Sequence, residues 1–473
     1  MKTDKKAPST RIEQIMESVK QKIATVTYLP GTRLPSIRLA AKSHNVSPST
    51  VAEAYERLVI EGVIYSKVGS GFYVANNSLP LSLSDLGPKL DRVVNPLWIS
   101  RQSLEMGDNS MKPGCGWLPA DWLYEEGMRR GLRQASKADS SVVGEYATPL
   151  GLIELRQYLV RRMLGLGIET TPEQVMITAS GTQAIDLICR YLLSPGDTVV
   201  VDDPCYFNFN AMLLAHRVNI VSVPYTKSGP DIESFKSVLS ACKPRLYITN
   251  ATIHNPTGAA LSSSKAYQVL KLAQDAGIYI IEDDIFADFE VADFKKHPAP
   301  RLAELDGLNN VFYIGSFSKT ISASLRCGFI SAHKELIDEL VDLKIATGFS
   351  GSQLAESIIL SALTHKDYSK HIQALHDRLD QVRKHVVERL GELGIEPWLI
   401  PRSGIYLWCR LPESISASEL ARQALHHNLV LAPGNAFSHT QSCDNFMRFN
   451  ISQSIELCIY KVLAQVIREV ETN

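Results

Sequence analysis

Apolar and polar residues change rhythm along this chain, and the first rhythm is helical. Ile12, Ile15, Met16, Val19 and Ile23 recur at spacings of three and four, which puts one apolar face on a helix. Leu29-Pro30-Gly31 is a turn that stops it. Ser36 offers a hydroxyl to cap a second, short helix running through Ala41. Ser47 followed by Pro48 starts a third, which ends before Gly62, with Val51, Ala54, Tyr55 and Leu58 facing inward. Two β-like runs follow, Val63–Ser66 and Phe72–Val74, joined by Lys67-Val68-Gly69-Ser70-Gly71. They predict a hairpin with a glycine turn.

Residues 76–105 lose the periodicity, contain Pro80, Pro88 and Pro96, and read as a linker. Beyond them the rhythm alternates. Strand-like runs at Val175–Thr178, Thr198–Val201, Leu246–Thr249, Ile278–Ile281 and Val311–Ile314 are separated by helical stretches such as Gln183–Leu193 and Ser264–Ala276. Alternation of this kind predicts an α/β domain with a mostly parallel sheet between helices. The last part predicts a small α+β lobe: a long helix through Leu390, a strand at Ile405–Leu411 and a closing helix at Ile455–Val470. The expected layout is therefore a winged helix-turn-helix over 11–75, the linker, and an α/β domain over 106–473.

Charge separates the two parts. Residues 1–75 hold eleven lysines and arginines against six acidic residues, although the whole 473-residue chain has a formal charge of only −1. A basic front on a mildly acidic body points to an anionic partner for the front. Eight cysteines stand singly with no Cys-x-x-Cys pair, which argues against zinc and a disulfide framework and suits a reducing cytoplasm. Met1 to Ser9 is charged with no apolar stretch behind it, and no segment has the length of a membrane span, so neither secretion nor a membrane partner is expected.

In the front unit, Arg33, Arg38 and Lys67 fall on or near the face that a winged helix turns toward DNA. Ser47, Ser49 and Thr50 at the start of the third helix offer hydroxyls and amides to phosphate. A small helical interaction module with ordinary surface cations is the plainer alternative. The run from Pro30 to Ala40, with Val46-Ser47, Thr50-Val51, Ala54-Tyr55, Leu58, Gly62 and Gly69-Ser70-Gly71, resembles the GntR-type winged helix across 11–75. The resemblance implies double-stranded DNA as partner, touched by Arg38, the start of the third helix, and the wing at Gly69. Relatives often place a basic residue after the serine or threonine that opens the third helix. Pro48 stands there in this chain, and Ala52 four positions further on, so base preference does not transfer.

In the rear unit, Ser316-Phe317-Ser318-Lys319-Thr320 follows an apolar strand. A desolvated lysine there is a neutral amine able to condense with an aldehyde. Alone, such a run is usually a surface loop. Ser180-Gly181-Thr182-Gln183 sits between a strand and a helix, where amides can cradle phosphate, although any α/β turn looks similar. His254-Asn255-Pro256-Thr257-Gly258 is equally a plain turn. Glu282-Asp283-Asp284 ends a strand, at the ligand crevice of such sheets or as a helix cap.

In this order the pieces resemble fold-type I aminotransferases, enzymes that use pyridoxal 5'-phosphate. The resemblance implies a Schiff-base lysine at Lys319, a ring-nitrogen aspartate at Asp283 and a ring-hydroxyl asparagine at Asn255. It implies a stacking aromatic at Tyr206 and a phosphate cup of Ser180, Gly181, Thr182, Ser316, Ser318 and Arg326, with Gln183 beside it. Tyr146 is expected to reach the partner subunit's phosphate, and Arg448 to grip a substrate carboxylate. One departure stands out: relatives carry a tyrosine two or three residues after the aspartate, where this chain has Ile285 and Phe286.

A GntR-type winged helix joined to such a body is similar to the MocR family of bacterial regulators. That implies a cytoplasmic, head-to-tail homodimer whose hold on DNA responds to the cofactor or to an amino compound at Lys319. Whether the body also turns over substrate stays open. The alternatives are a working aminotransferase with an accessory DNA-binding domain, and a DNA-binding protein whose body has lost its cofactor.

Overall fold

The computed structural model describes residues 10–24, 28, 32–61, 63–67, 70–74, 97–107, 110–290 and 299–472. Leu29-Pro30-Gly31, Gly62, Val68, Gly69 and linker residues 76–96 lie outside the described residues. The chain divides into two units, Met1–Gly87 and Pro88–Asn473.

In the first unit, α1 (Arg11–Ala24), α2 (Ile37–His44) and α3 (Pro48–Ile60) precede a hairpin of β1 (Ile64–Lys67) and β2 (Gly71–Val74). The helices start where their caps dictate. The Ser36 hydroxyl accepts from the Leu39 amide at 3.3 Å, and Ser47 accepts from Thr50 at 3.2 Å. Asn45, left-handed at φ 52°, ends α2 and turns the chain toward α3. Ile15, Met16 and Val19 of α1 meet Val51, Ala54, Tyr55 and Leu58 of α3 in one core, so the spacing of threes and fours finds its counterpart in the packing.

The second unit begins earlier than its sequence suggests. Residues 97–105, expected in the linker, include a helix, α4 (Trp98–Glu105). Its Trp98 and Ile99 are fully buried in the core of the small lobe. The proline-rich composition hid an anchor that belongs to the same core as residues more than three hundred positions away.

The large sheet is built from β3 (Val175–Thr178), β4 (Thr198–Asp203), β5 (Asn219–Thr226), β6 (Gly229–Pro230), β7 (Leu246–Thr249), β8 (Tyr279–Asp283), β9 (Val311–Ser316) and β10 (Gly328–Ser331). Their order is β3-β10-β9-β8-β7-β4-β5-β6. The central pairs are parallel, while β10 runs antiparallel to both of its neighbours. Both faces are covered: Tyr247, Ile280, Val311 and Tyr313 enter one core, and Leu246, Ile248, Ile281 and Phe312 enter the other. That is why these strands read as unbroken apolar runs.

The small lobe holds an antiparallel sheet of β11 (Glu396–Pro397), β12 (Tyr406–Arg410), β13 (Ala432–Pro433) and β14 (Phe446–Asn450), ordered β11-β12-β14-β13. The Tyr368–Gly391, Ala417–His426 and Leu457–Thr472 helices contribute to its core. Among the described residues no helix is long and apolar enough to cross a membrane.

Trp98 tests whether the unit starts before residue 106. Trp98→Ala is expected to destabilise the second unit by about 3–5 kcal/mol, read as an earlier urea transition of that unit. A linker residue would change nothing.

Candidate functional site

Parallel strands deliver their following residues to one edge of a sheet. Here β3 leads to Ser180, β4 to Tyr206, β7 to Asn255, β8 ends on Asp283, and β9 leads to Ser318 and Lys319. Arg448 enters from the other lobe on β14. Its Nη1 donates to Asn255 Oδ1 at 3.0 Å, which joins the two lobes at the site.

Lys319 is partly buried and makes no ion pair among the described residues. Its Nζ donates instead to the Gly116 carbonyl at 2.7 Å. Burial, reinforced by the charge of Arg448, pulls its amine down to about 8. An amine of that kind is substantially neutral near pH 8 and competent as a nucleophile toward an aldehyde.

The three adjacent acids have three different settings. Glu282 accepts from the Leu302 and Ala303 amides at 2.9 and 2.8 Å and caps the short Leu302–Asp306 helix. Asp284 is paired with Arg301 at 2.8 Å and accepts from the Tyr313 hydroxyl at 2.9 Å. Asp283 is buried without an ion pair among the described residues, and burial raises its carboxyl to about 7. A cap reading therefore suits Glu282, and the ligand reading suits Asp283.

Arg448 is fully buried. Its Nη2 donates to the Gly114 carbonyl at 2.7 Å, and its guanidinium lies 4.2 Å from the centre of the Tyr406 ring and 4.8 Å from that of Phe437. Its Nε is buried without a hydrogen-bond partner among the described residues. Buried guanidinium N–H groups left unpaired are costly, and an incoming carboxylate is the natural acceptor. Tyr206 belongs to the same group: burial, with the nearby Asp283, raises its phenol to about 12.

Ser180 is the N-cap of the Gly181–Leu192 helix, its hydroxyl accepting from the Gln183 amide at 3.0 Å. A Cβ at Gly181 would meet Ile285 at 3.3 Å, so glycine keeps this helix start open. Thr182 is exposed beside it, and the Gln183 side chain turns back to the Ala179 amide at 2.6 Å. The Ser316 and Ser318 hydroxyls are bonded to each other at 3.1 Å. Arg326 is exposed with a left-handed backbone at φ 49°, and its charge acts on Lys319 and Tyr206. Helix start, hydroxyls and cation together form a fit for phosphate. Tyr146 stands apart from this group: it is 81% exposed and stacks on Phe349, itself 61% exposed, at 5.1 Å.

Sequence reasoning missed Gly114, Gly116 and Tyr406. The first two lie in a short loop ahead of the large sheet, and Tyr406 begins β12. Only the fold brings them to Lys319. The glycine spacing at 114 and 116 was the one available signal.

In the first unit, Arg33, Arg38, Ser47, Ser49 and Lys67 are exposed, and Thr50 is half-buried. Ser47 Oγ bonds to both Ser49 Oγ and Thr50 Oγ1 at 2.7 Å. Lys67 Nζ lies 5.0 Å from the Tyr73 ring centre and 5.8 Å from that of Tyr65 on the hairpin. No ion pair ties up Arg33, Arg38 or Lys67 among the described residues. Gly69 lies outside them.

Fold and site together define an aminotransferase-type body behind a small winged helix, and comparison with known proteins gives the family. Residues 123–458 match the model for aminotransferase class I and II, and residues 11–74 match that for bacterial regulatory proteins of the gntR family. The chain belongs to the aminotransferase class I and II family, in the MocR-type arrangement that joins such a domain to a GntR-type winged helix.

Relatives have the same span. The uncharacterized HTH-type transcriptional regulator YdcR of Escherichia coli is 28% identical over 93% of this chain and 94% of its own length. The HTH-type transcriptional regulator NorG of Staphylococcus aureus is 27% identical over 92% of this chain and 99% of its own. Among solved structures, the α-aminoadipate aminotransferase LysN of Thermus thermophilus superposes with a TM-score of 0.72 at 23% identity, covering 83% of this chain and 100% of its own. A kynurenine aminotransferase of Pyrococcus horikoshii gives 0.71 at 24%, covering 83% and 99%. These structures share the fold of the second unit.

Asp283 makes a pH prediction for the cofactor-free protein. Its folded value, about 7, lies above the ordinary carboxylate value of 3.8. Between these values the unfolded chain has released its proton while the folded chain retains it, so this group's stabilisation is lost as pH rises through the window. Asp283→Asn is expected to gain melting temperature relative to the unsubstituted protein as pH goes from 4 to 7. A constant difference across that range would contradict it.

Proposed function

We propose that this chain is a DNA-binding transcriptional regulator whose body senses pyridoxal 5'-phosphate, or an amino compound, at Lys319. The observation that supports this most is the convergence of Lys319, Asp283, Asn255 and Arg448 in a chain that opens with a GntR-type winged helix. When bound, the cofactor supplies an aldehyde for amines and a ring that accepts electrons. Lys319 is the amine that holds it. Asp283 is the carboxylate for its ring nitrogen, Asn255 the partner of its ring hydroxyl, and Tyr206 the aromatic against its ring. Ser180, Gly181, Thr182, Ser316, Ser318 and Arg326 form the cup for its phosphate.

The chain's own residues then divide the work. Asp283, buried with no ion pair among the described residues, suits a protonated ring nitrogen, because a cation there relieves the cost of a buried carboxylate. Arg448, its Nε free, receives the carboxylate of an amino-acid effector. Arg33, Arg38 and Lys67 supply cations for DNA phosphates, and Ser47, Ser49 and Thr50 supply hydroxyls at the start of α3. The DNA-binding domain is assigned to 11–75 and the sensing domain to the rest of the chain from 97 onward. Such a regulator works in the cytoplasm.

A homodimer, arranged head to tail, fits the exposed aromatic pair Tyr146 and Phe349. Paired aromatics left in water are unusual on a monomer, and Tyr146 is free to reach a partner subunit's phosphate cup. A working aminotransferase is the second reading, favoured by the presence of Lys319, Asp283 and Arg448, while Ile285 and Phe286, which bear no hydroxyl, count against it.

Binding of the purified chain to its own upstream DNA tests the first reading. Affinity is expected to change on adding pyridoxal 5'-phosphate, and Lys319→Ala to be indifferent to it. Equal affinity with and without cofactor in both proteins removes the sensing role. Steady turnover of an amino acid with a keto acid, at ordinary enzyme rates, establishes the second reading. Arg38→Ala is expected to weaken DNA binding by ~1–3 kcal/mol in the same assay. In sedimentation, Phe349→Asp is expected to shift dimer toward monomer.

A further inference from the structure

The sequence raised a question that the proposed function leaves unanswered: where the site finds a phenol when positions 285 and 286 hold isoleucine and phenylalanine. Phe286 is buried in the site, 6.0 Å from Lys319 Nζ to its ring centre, and its para carbon bears no hydroxyl. Its ring packs edge-on against Tyr406 at 5.5 Å.

Tyr406 opens β12 in the small lobe and is buried, yet its hydroxyl is turned into the site rather than the lobe core. It donates to the Gly116 carbonyl at 3.1 Å, the same oxygen that accepts from Lys319 Nζ at 2.7 Å. Arg448 lies over its ring. The loop that presents this carbonyl has little freedom. A Cβ at Gly114 would come within 2.4 Å of the Leu431 carbonyl carbon, and Asn450 Nδ2 holds the carbonyls of Cys115 and Trp117 at 3.2 and 2.8 Å. A Cβ at Gly116 would point at the Tyr406 hydroxyl, Lys319 Nζ and Arg448 Nη2, at 3.4, 3.9 and 4.0 Å. One fixed acceptor is therefore shared by a phenol and the amine.

We propose that Tyr406 is a positioning residue for Lys319: it supplies the phenol missing at 285 and 286 and acts through their shared acceptor, the Gly116 carbonyl. The inference rests on the reading of Lys319 as the amine that takes the cofactor. Sharing matters because the carbonyl oxygen favours the ammonium form of Lys319, and a second donor on the same oxygen weakens that preference. Without the Tyr406 hydroxyl, the whole acceptor falls to the ammonium. More of the amine is then protonated at neutral pH, and its reaction with aldehydes slows.

The test uses the full chain in two forms. In the cofactor-free protein, arylation of Lys319 by trinitrobenzenesulfonate is followed across pH by peptide mass spectrometry. In protein mixed with pyridoxal 5'-phosphate, the pH midpoint of the visible absorbance and the rate of its appearance are recorded. Tyr406→Phe is expected to raise the Lys319 midpoint by about half to one pH unit and to slow the appearance of the absorbance. Phe289→Leu loosens the packing behind Phe286, whose ring lies 6.0 Å away, and keeps both the Phe286 ring and the Tyr406 hydroxyl, so it is expected to leave the Lys319 midpoint in place. An unmoved midpoint in Tyr406→Phe overturns the proposal, as does an equal movement in Phe289→Leu, which would make packing the cause. If the unsubstituted protein shows no cofactor absorbance, the cofactor reading fails. The arylation arm still decides the role of Tyr406.

Discussion

The second unit is organised around two cations, Lys319 and Arg448, that share a site with no carboxylate paired to either among the described residues. A cation removed from water needs compensation. Here it comes from neutral carbonyl oxygens: that of Gly116 for Lys319, and for Arg448 that of Gly114 in the same short loop together with the Asn255 side-chain amide. Side-chain carboxylates would neutralise the cations outright and leave nothing for a ligand. Carbonyl dipoles stabilise them only in part, so the charges stay available. The requirement reaches into the fold. The loop must pass close to β13, which excludes a Cβ at Gly114, and it must be held by Asn450 on β14.

The acids at the end of β8 follow the same logic with the opposite sign. Glu282 accepts from two amides, and Asp284 accepts through Oδ2 from Arg301 and the Tyr313 hydroxyl, and they fix the chain on either side of Asp283. Asp283 is buried without such a cation. Glu282 and Asp283 divide in this way because successive residues of a strand face opposite sides of a sheet, and Asp284 follows just beyond the end of β8.

Much of this was legible in the sequence wherever the signal is local. Ser36 and Ser47 mark helix starts through their own hydroxyls, and strand runs such as Val175–Thr178 and Leu246–Thr249 coincide with strands because both sheet faces are buried. The motif residues Ser180, Asn255, Asp283 and Lys319 follow strand ends, so recognising the strands already placed them along one edge. What stayed hidden depends on contacts distant in the chain. Trp98 sits in a proline-rich neighbourhood that reads as linker, yet it packs into a lobe made from the last hundred residues. Tyr406 sits in an apolar run that reads as plain core, and only its meeting with Gly116 turns its hydroxyl into part of the site. The antiparallel β10 was also missed, since Gly328-Phe329-Ile330-Ser331 is too short a run to show a strand or its direction.

These contacts also constrain how a ligand could be sensed. A carboxylate arriving at Arg448 meets a guanidinium already bonded through Nη1 to Asn255 and through Nη2 to Gly114, with Nε unpaired. Pairing Nε alone leaves the lobes as they are, and such a ligand binds without shifting anything. Each Nη bears a second hydrogen that the bonds to Asn255 and Gly114 do not use, so a bidentate grip competes with those bonds only where it displaces Asn255 or Gly114. Only that competition makes affinity differ between two arrangements of the lobes, and a ligand moves an equilibrium only by such a difference. Because Gly114 lies in the loop that also holds Lys319 and Tyr406, a change at Arg448 is felt at the amine. Under the proposed reading, carboxylate and amine are met by two cations that one short loop holds, Arg448 through the Gly114 carbonyl and Lys319 through the Gly116 carbonyl.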